Sequence, residues 1–288
     1  MASTDIRLDA ELSGLDALEL PVARSRSRGA RAWAAVWPKL LAVAIFLFLW
    51  QAIVWSRWKP EYLLPGPIPV FENLFEHFGT FAEASGRTLL RGVEGFTLAV
   101  VIGTGIGALI ARVRVLRSGV GSMLTGLQTM PSVAWFPLAI ILLKASEGAI
   151  LYVVVLGAAP SVANGLISGI DNIPPLLLRA GRALGARGFA AFRHVVLPAA
   201  LPSFVGGLKQ GWAFAWRSLL AGEIIAVIPG TRSLGLELEN SFQFSDSKGL
   251  MATMVVIFAV GVMMDGLLFG TVDRAIRRRY GLIDESTA

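Results

Sequence analysis

The sequence predicts an all-α, polytopic membrane protein with six transmembrane helices and a two-helix loop on the cytoplasmic side. Of its 288 residues, 55% are hydrophobic and only 16% are charged. The mean hydropathy is +0.64, outside the usual range of a soluble domain this long. Apolar runs long enough to cross a ~30 Å hydrocarbon layer, which takes about 17 to 25 helical residues, lie at 38–55, 89–111, 119–143, 149–170, 201–228 and 250–272. Such runs are helices in lipid, because each backbone group must then be satisfied inside its own segment. Outside the runs or within three residues of their ends, 17 Lys and Arg fall on the side of the termini and 7 on the other, which predicts that both termini are cytoplasmic. The same bias accounts for the net charge of +6 without invoking nucleic acid.

Several chemistries are excluded at this level. The chain has no cysteine, hence no disulfide, thiol nucleophile or thiolate metal site. Its two histidines, His77 and His194, are far apart, and the spans hold almost no carboxylates to join them, so no metal site is expected. The spans carry no paired carboxylates and no nucleophile–base set, which argues against a membrane-embedded enzyme.

In chain order, residues 1–37 form an arginine-rich tail that is retained rather than cleaved. Leu8, Leu12, Leu15 and Leu18 recur there at helical steps between acidic residues, which fits a short amphipathic helix docking on a partner or a disordered tail. The membrane domain is 38–272, with its cytoplasmic loop at 172–199, and 273–288 is a second cytoplasmic tail. After the first span, "KPEYLLPGPIPVFENLFEHF" is proline-fixed and then amphipathic, with Leu74, Phe75 and Phe78 on one side, as a helix lying at the outer interface would be. "GTGIGA", residues 103–108, has the spacing of a dinucleotide fingerprint, yet it sits inside an apolar span with no preceding strand. Gly103 and Gly107 are read instead as small residues that admit a neighbouring helix.

In the third span Pro131 and Pro137 each remove an intrahelical donor, freeing the carbonyls of Leu127 and Val133 beside Gln128, Ser132 and Trp135. Broken helices at membrane depth often border a cavity. Pro160, with Ser161 and Asn164, is a similar feature of span four, and kinks that only improve packing are the alternative for both. The fifth span holds Lys209, Arg217 and Glu223, and charge inside a span is costly enough to face a cavity or a partner. Lys209, Trp216 and Glu223 share one helical face with Trp212, and Gln210 and Arg217 form the adjacent stripe. The planar fork of Arg217 matches sulfonate, phosphate or nitrate oxygens. Pairing of Arg217 and Glu223 with neighbouring spans, snorkelling of Lys209 and simple packing of the tryptophans are the competing readings. Residues 229–248 form the other sizeable external segment.

The cytoplasmic stretch "NIPPLLLRAGRALGARGFAAFRHVVLPAALP", 172–202, reads as a helix starting after Pro174 and Pro175, an interruption at 185–188, and a second helix ending near Leu197, before Pro198. Phe189, Phe192 and Val196 make an apolar stripe, with Arg182, Arg187 and Arg193 around it; spacing alone fits either a knob suited to a groove in a soluble partner or a basic loop that only follows the positive-inside bias.

This knob resembles the EAA loop of binding-protein-dependent ABC importer permeases of the type I, MetI-like kind. Ala180 stands at the first Ala, Gly185 at the coupling glycine, and "VVLPAALP" at the terminal element, while Arg179 occupies the Glu position and Gly181 the second Ala. "LLPGPIPV", "TMPSVAWFPLAIILL" and "GLKQGWAFAWRSLLAGEII" are similar to the sulfonate, taurine and nitrate branch of that family. The resemblance implies a non-enzymatic permease of the bacterial inner membrane that pairs with a second copy of itself. It implies two copies of an ABC ATPase, which carry ATP and Mg, and an extracytoplasmic solute-binding protein; this chain binds no cofactor. Arg179, Ala180, Arg182, Gly185, Ala186, Phe189, Phe192 and Pro198 would couple to the ATPase. Gln128, Ser132, Trp135, Asn164, Lys209, Trp212, Trp216, Arg217 and Glu223 would border the path of a small organic anion, foremost an alkanesulfonate, with nitrate, taurine or another small solute as alternatives. The absence of any G-x-x-x-x-G-K-[ST] agrees with nucleotide held by another chain. A secondary transporter or channel is the rival reading, and no internal repeat supports it.

Overall fold

The computed structural model describes residues 28–272 and Ala275, so the leucines of the amphipathic 8–18 pattern and most of the second tail lie outside the described residues. Two compact units divide the chain, Met1–Lys59 and Pro60–Ala288. The first contains α1 (Arg28–Trp55), whose apolar part runs from Val36 to Trp55. Leu40, Phe46 and Ile53 stand exposed on it, as lipid-facing side chains do. Pro38 lies within this helix instead of opening it.

The second unit comprises α2 (Pro67–Glu76), α3 (Phe78–Arg112), α4 (Arg114–Thr129), a 3₁₀ turn (Ser132–Trp135), α5 (Phe136–Leu143) and α6 (Glu147–Asp171). It continues through α7 (Pro175–Ala183), the short α8 (Gly188–Ala191), α9 (Leu197–Ile225), α10 (Leu234–Gln243) and α11 (Ser247–Met264). In α2 Pro67 and Val70 are buried and Phe75 is exposed, while Leu74 is half-buried and Phe78 opens α3.

Small residues set how the long helices cross. A Cβ on Gly95 would meet Val154 and Leu151, on Gly103 the Ala159 carbonyl at 2.5 Å, and on Gly107 the Ala163 carbonyl at 3.0 Å. The sequence contacts rise together, so α3 and α6 run parallel, their backbones brought close where no side chain intervenes. The small-residue reading of Gly103 and Gly107 holds. Along α6 and α9 the matches are Gly169 with Ala200, Gly165 with Gly207 and Gly157 with Ser218, so those two run antiparallel. Gly261 against Trp216 and Lys209 against Asp265 turn α11 parallel to α6.

These directions decide a point that the third span raises. Among the described residues, five helices are long and apolar enough to cross a membrane, and the expected span at 119–143 is not one of them: it is a pair, Gly121–Thr129 and Ser132–Leu143, bent by 99°. The break falls at Pro131, which has no N–H to continue the ladder of α4. Because α3 and α6 are parallel, the bent pair must return the chain to the end where α6 begins, and it is therefore the remaining crossing. Pro160, by contrast, is buried in a helix that continues through it.

A second correction concerns Pro198. The second loop helix does not end near Leu197: α8 passes through a π-helical turn at Phe192–Val196 directly into α9, where Pro198 sits in the first turn. The Leu197 amide reaches back to the Phe192 carbonyl, a five-residue step. Pro198 cannot donate, and the widened turn before it accommodates the ring without breaking the rod. The fifth span thus begins at Gly188 rather than 201, and at 38 residues it is about 57 Å long at 1.5 Å per residue. That is longer than a ~30 Å hydrocarbon layer requires.

Candidate functional site

The bend at Pro131 opens the first functional feature. A cavity of about 330 Å³ is lined by Leu127 to Val133, Trp135, Leu156, Gly157, Phe214 and Arg217. Three residues expected from the broken third span, Gln128, Ser132 and Trp135, therefore meet Arg217 of the fifth in one place. The Gln128 amide donates to Ser161 Oγ (2.9 Å) and its oxygen accepts from Asn164 Nδ2 (3.3 Å), so α4 is tied to α6 immediately beside the cavity. Those bonds use both ends of Gln128 and set the orientation of its amide. Arg217 lies with its guanidinium carbon 5.9 Å from the Phe214 ring centre, within cation–π range. Among the described residues no carboxylate stands within ion-pair distance of Arg217.

The remaining residues expected on this path lie elsewhere. Trp212 is buried edge-on against Phe96 and stacks with Trp216, whose indole nitrogen borders Gly261 of α11. Lys209 pairs with Asp265 at 3.4 Å. Glu223 is 1% exposed and accepts hydrogen bonds from Thr88 Oγ1 (2.9 Å), Arg91 Nη1 (3.1 Å) and the Gly235 amide (3.1 Å). Lys209, Trp212, Trp216 and Glu223 do not line this cavity; they pack and pair with neighbouring helices instead. They share a helical face, as their spacing requires, and that face turns toward α3 and α11 while Arg217 turns toward α4 and α6.

Around Glu223 are residues that sequence reasoning missed: Thr88, Arg91 and Glu147, the last accepting from Arg91 Nη2 at 2.5 Å. The available signal was Arg91 itself, a charge at the edge of an apolar run. At the opposite end Arg117 pairs with Asp171 across α4 and α6, where a cation offsets an acid at a helix C-terminus.

The second feature is the loop between α6 and α9. α7 ends in a Schellman turn: the Gly185 amide bonds the Arg182 carbonyl and the Ala186 amide bonds the Gly181 carbonyl. This needs a left-handed residue, and Gly185 supplies it at φ +85. Gly181 is buried over the second half of the knob, where a Cβ would stand 2.7 Å from Val195 Cγ2. An alanine there would force the two helices apart, which gives a physical reason for the glycine. Arg179, Ala180, Arg182, Phe189 and Phe192 are exposed, Ala186 and Pro198 are half-buried, and Leu176, Leu184 and Phe189 form an apolar outer surface.

A bundle crossed through small residues, with a cavity at a broken helix and an apolar-basic knob at one end, has the architecture of a polytopic helical membrane protein. The chain belongs to the family described as binding-protein-dependent transport system inner membrane component, which matches residues 100–278. It is 26% identical over 259 residues to the bicarbonate transport system permease CmpB of Synechococcus elongatus, covering 84% of this chain and 91% of the relative. It is 26% identical over 245 residues to the taurine transport system permease TauC of Escherichia coli, covering 82% and 86%. Among solved structures, a chain of the MetNI methionine ABC transporter in an inward-facing form aligns with TM-score 0.58 at 19% identity, over 70% of this chain and 98% of its own. That likeness is one of fold. The protein is a multi-pass permease component of the inner membrane.

Proposed function

We propose that this chain, as two copies, forms the translocation pathway of an ATP-driven ABC importer for a small organic anion, foremost an alkanesulfonate. The observation that carries the anion is Arg217, an exposed guanidinium without a carboxylate partner among the described residues, bordering an open cavity of the helical bundle. A charge kept at membrane depth without a counter-charge is costly, and a passing sulfonate would supply the missing partner through paired N–H···O bonds. Ser132 and Trp135 border the same space, and Gln128 and Asn164 hold its wall. The taurine relative transports an aminosulfonate by its name, and the bicarbonate relative supports a second reading in which a smaller planar oxyanion is the cargo.

The exposed knob, with Arg179, Ala180, Arg182, Gly185, Ala186, Phe189 and Phe192 at its surface and turn and Pro198 at its base, docks on an ABC ATPase, one per copy. That partner binds ATP and Mg. The knob and both termini lie in the cytoplasm, a reading that the Lys and Arg bias of the sequence supports. An external binding protein delivers the solute at the other side.

Proteoliposomes containing this chain, its ATPase and its binding protein should take up labelled ethanesulfonate only with ATP at the ATPase face, and nitrate or bicarbonate should not compete. Competition by bicarbonate with no sulfonate uptake would replace the cargo, and uptake indifferent to ATP would remove the ABC reading.

A further inference from the structure

At the end of the bundle opposite the knob, four helices meet through one buried polar cluster that the Arg217 cavity does not use. Glu223, near the end of α9, has a side chain with no exposed surface. Both its oxygens accept from Thr88 Oγ1 of α3, at 2.9 and 3.1 Å, one also accepts from Arg91 Nη1 at 3.1 Å, and the other from the Gly235 amide of α10 at 3.1 Å. Thr88 in turn accepts the Leu234 amide at 2.9 Å, and Arg91 extends to Glu147 at the start of α6. The contact has no slack: a Cβ on Gly235 would lie 2.5 Å from Glu223 Cβ and 2.9 Å from the Leu220 carbonyl.

Buried networks in which every lone pair and proton is used are stiff, since any displacement leaves a charge unsatisfied in a medium of low dielectric. We infer that the Thr88–Arg91–Glu223–Gly235 cluster is a rigid joint by which α10 and the outer end of α9 move as one body, making Thr88, Arg91, Glu223 and Gly235 positioning residues for transport. Glu223 lies six residues from Arg217 on the same helix, about 9 Å along its axis. A load placed on the outer segment, which ends in the exposed Phe242 and Phe244, therefore reaches the guanidinium without passing through a flexible linker. The partner that supplies this load is the external binding protein, so the inference rests on the function proposed above.

The test uses the reconstituted complex of this chain with its ATPase and its binding protein loaded with ethanesulfonate. Thr88→Val keeps the shape of the side chain and removes the hydroxyl, Thr88→Ser keeps the hydroxyl, and Gly235→Ala wedges α10 off α9 without touching a charge. Amide exchange at Leu234 and Gly235 reports whether the joint has opened. The expected result for Thr88→Val and Gly235→Ala is unchanged basal ATPase and an unchanged half-saturating concentration of binding protein. Maximal stimulation falls about tenfold, the equivalent of one buried hydrogen bond, and Thr88→Ser restores it. Full stimulation in either variant despite faster exchange at Leu234 would overturn the joint. So would a parallel loss of basal ATPase and assembly in both, which is what a merely structural cluster gives. If wild-type protein itself shows no stimulation, the importer reading falls, and the joint falls with it.

Discussion

The two faces of α9 treat their charges in opposite ways. On one face Glu223 is enclosed by Thr88, Arg91 and Gly235, Lys209 has Asp265, and Trp212 and Trp216 fill the space between. On the other, Arg217 stands over Phe214 at the edge of an open cavity with no acid beside it among the described residues. One helix therefore holds both a finished polar joint and an unfinished one. The difference separates groups that position the bundle from a group left available for a passing ion.

The sharpest way to break this contrast is to remove the partner of the enclosed charge. Arg91→Leu leaves Glu223 buried with hydroxyl and amide donors but no cation. It should destabilise the protein by about 3–5 kcal/mol, the usual cost of stripping one member from a buried pair. Loss of assembled complex and a fall in melting temperature in detergent measure it, and an undiminished melting temperature would show that the joint contributes little. Arg217→Leu should do the reverse. It removes no internal pair, so assembly and melting are expected to hold, while uptake falls by about 10- to 100-fold, equivalent to the roughly 1.5–3 kcal/mol of a charged hydrogen bond. Arg217→Lys should recover part of it, because the charge remains and the planar fork is lost. Normal uptake by Arg217→Leu would place Arg217 with the packing residues.

How much of this contrast was legible in the sequence depends on the distance over which each feature is determined. The apolar runs, the break at Pro131 and the close approach at Gly103 and Gly107 follow from local rules, the need to satisfy a backbone and the need for space. The turn at Gly185 is equally local. Spacing also put Lys209, Trp212, Trp216 and Glu223 on one face, but it could not say which neighbours that face would meet. The partners of Glu223 lie 135 and 132 residues away, at Thr88 and Arg91, so their pairing is invisible to any window on the chain. The passage of the helix through Pro198 was unreadable for another reason. A π turn resolves the proline by widening the backbone, and nothing in the residue types of Phe192–Val196 announces it.

A smaller effect is expected where helices touch without side chains. A Cβ on Gly207 would lie 2.5 Å from the Gly165 Cα, so Gly207→Ala must separate α6 from α9. The cost should be about 1–3 kcal/mol, typical of overpacking, read as a lower melting temperature; since the crossing flanks the cavity wall, uptake should fall with it. At the knob, Gly185→Ala places a side chain at φ +85, at a cost of about 1–2 kcal/mol. The bundle does not feel that change, but ATPase stimulation by loaded binding protein should drop while membrane insertion is retained. Gly185→Pro, which also removes the amide that closes the turn onto Arg182, should uncouple fully.

The smallest effect tests the comparison most directly, because it again concerns a charge in α9. Lys209 and Asp265 are both about half exposed, so each keeps much of its solvation whether or not it is paired. Such pairs contribute about 1 kcal/mol or less, and Lys209→Met, which retains the length of the side chain, should leave uptake and melting temperature within experimental error. An effect of Lys209→Met comparable to that of Arg217→Leu would mean that exposure, rather than the presence of a partner, marks the charges that serve transport, and the division between the two faces would no longer hold.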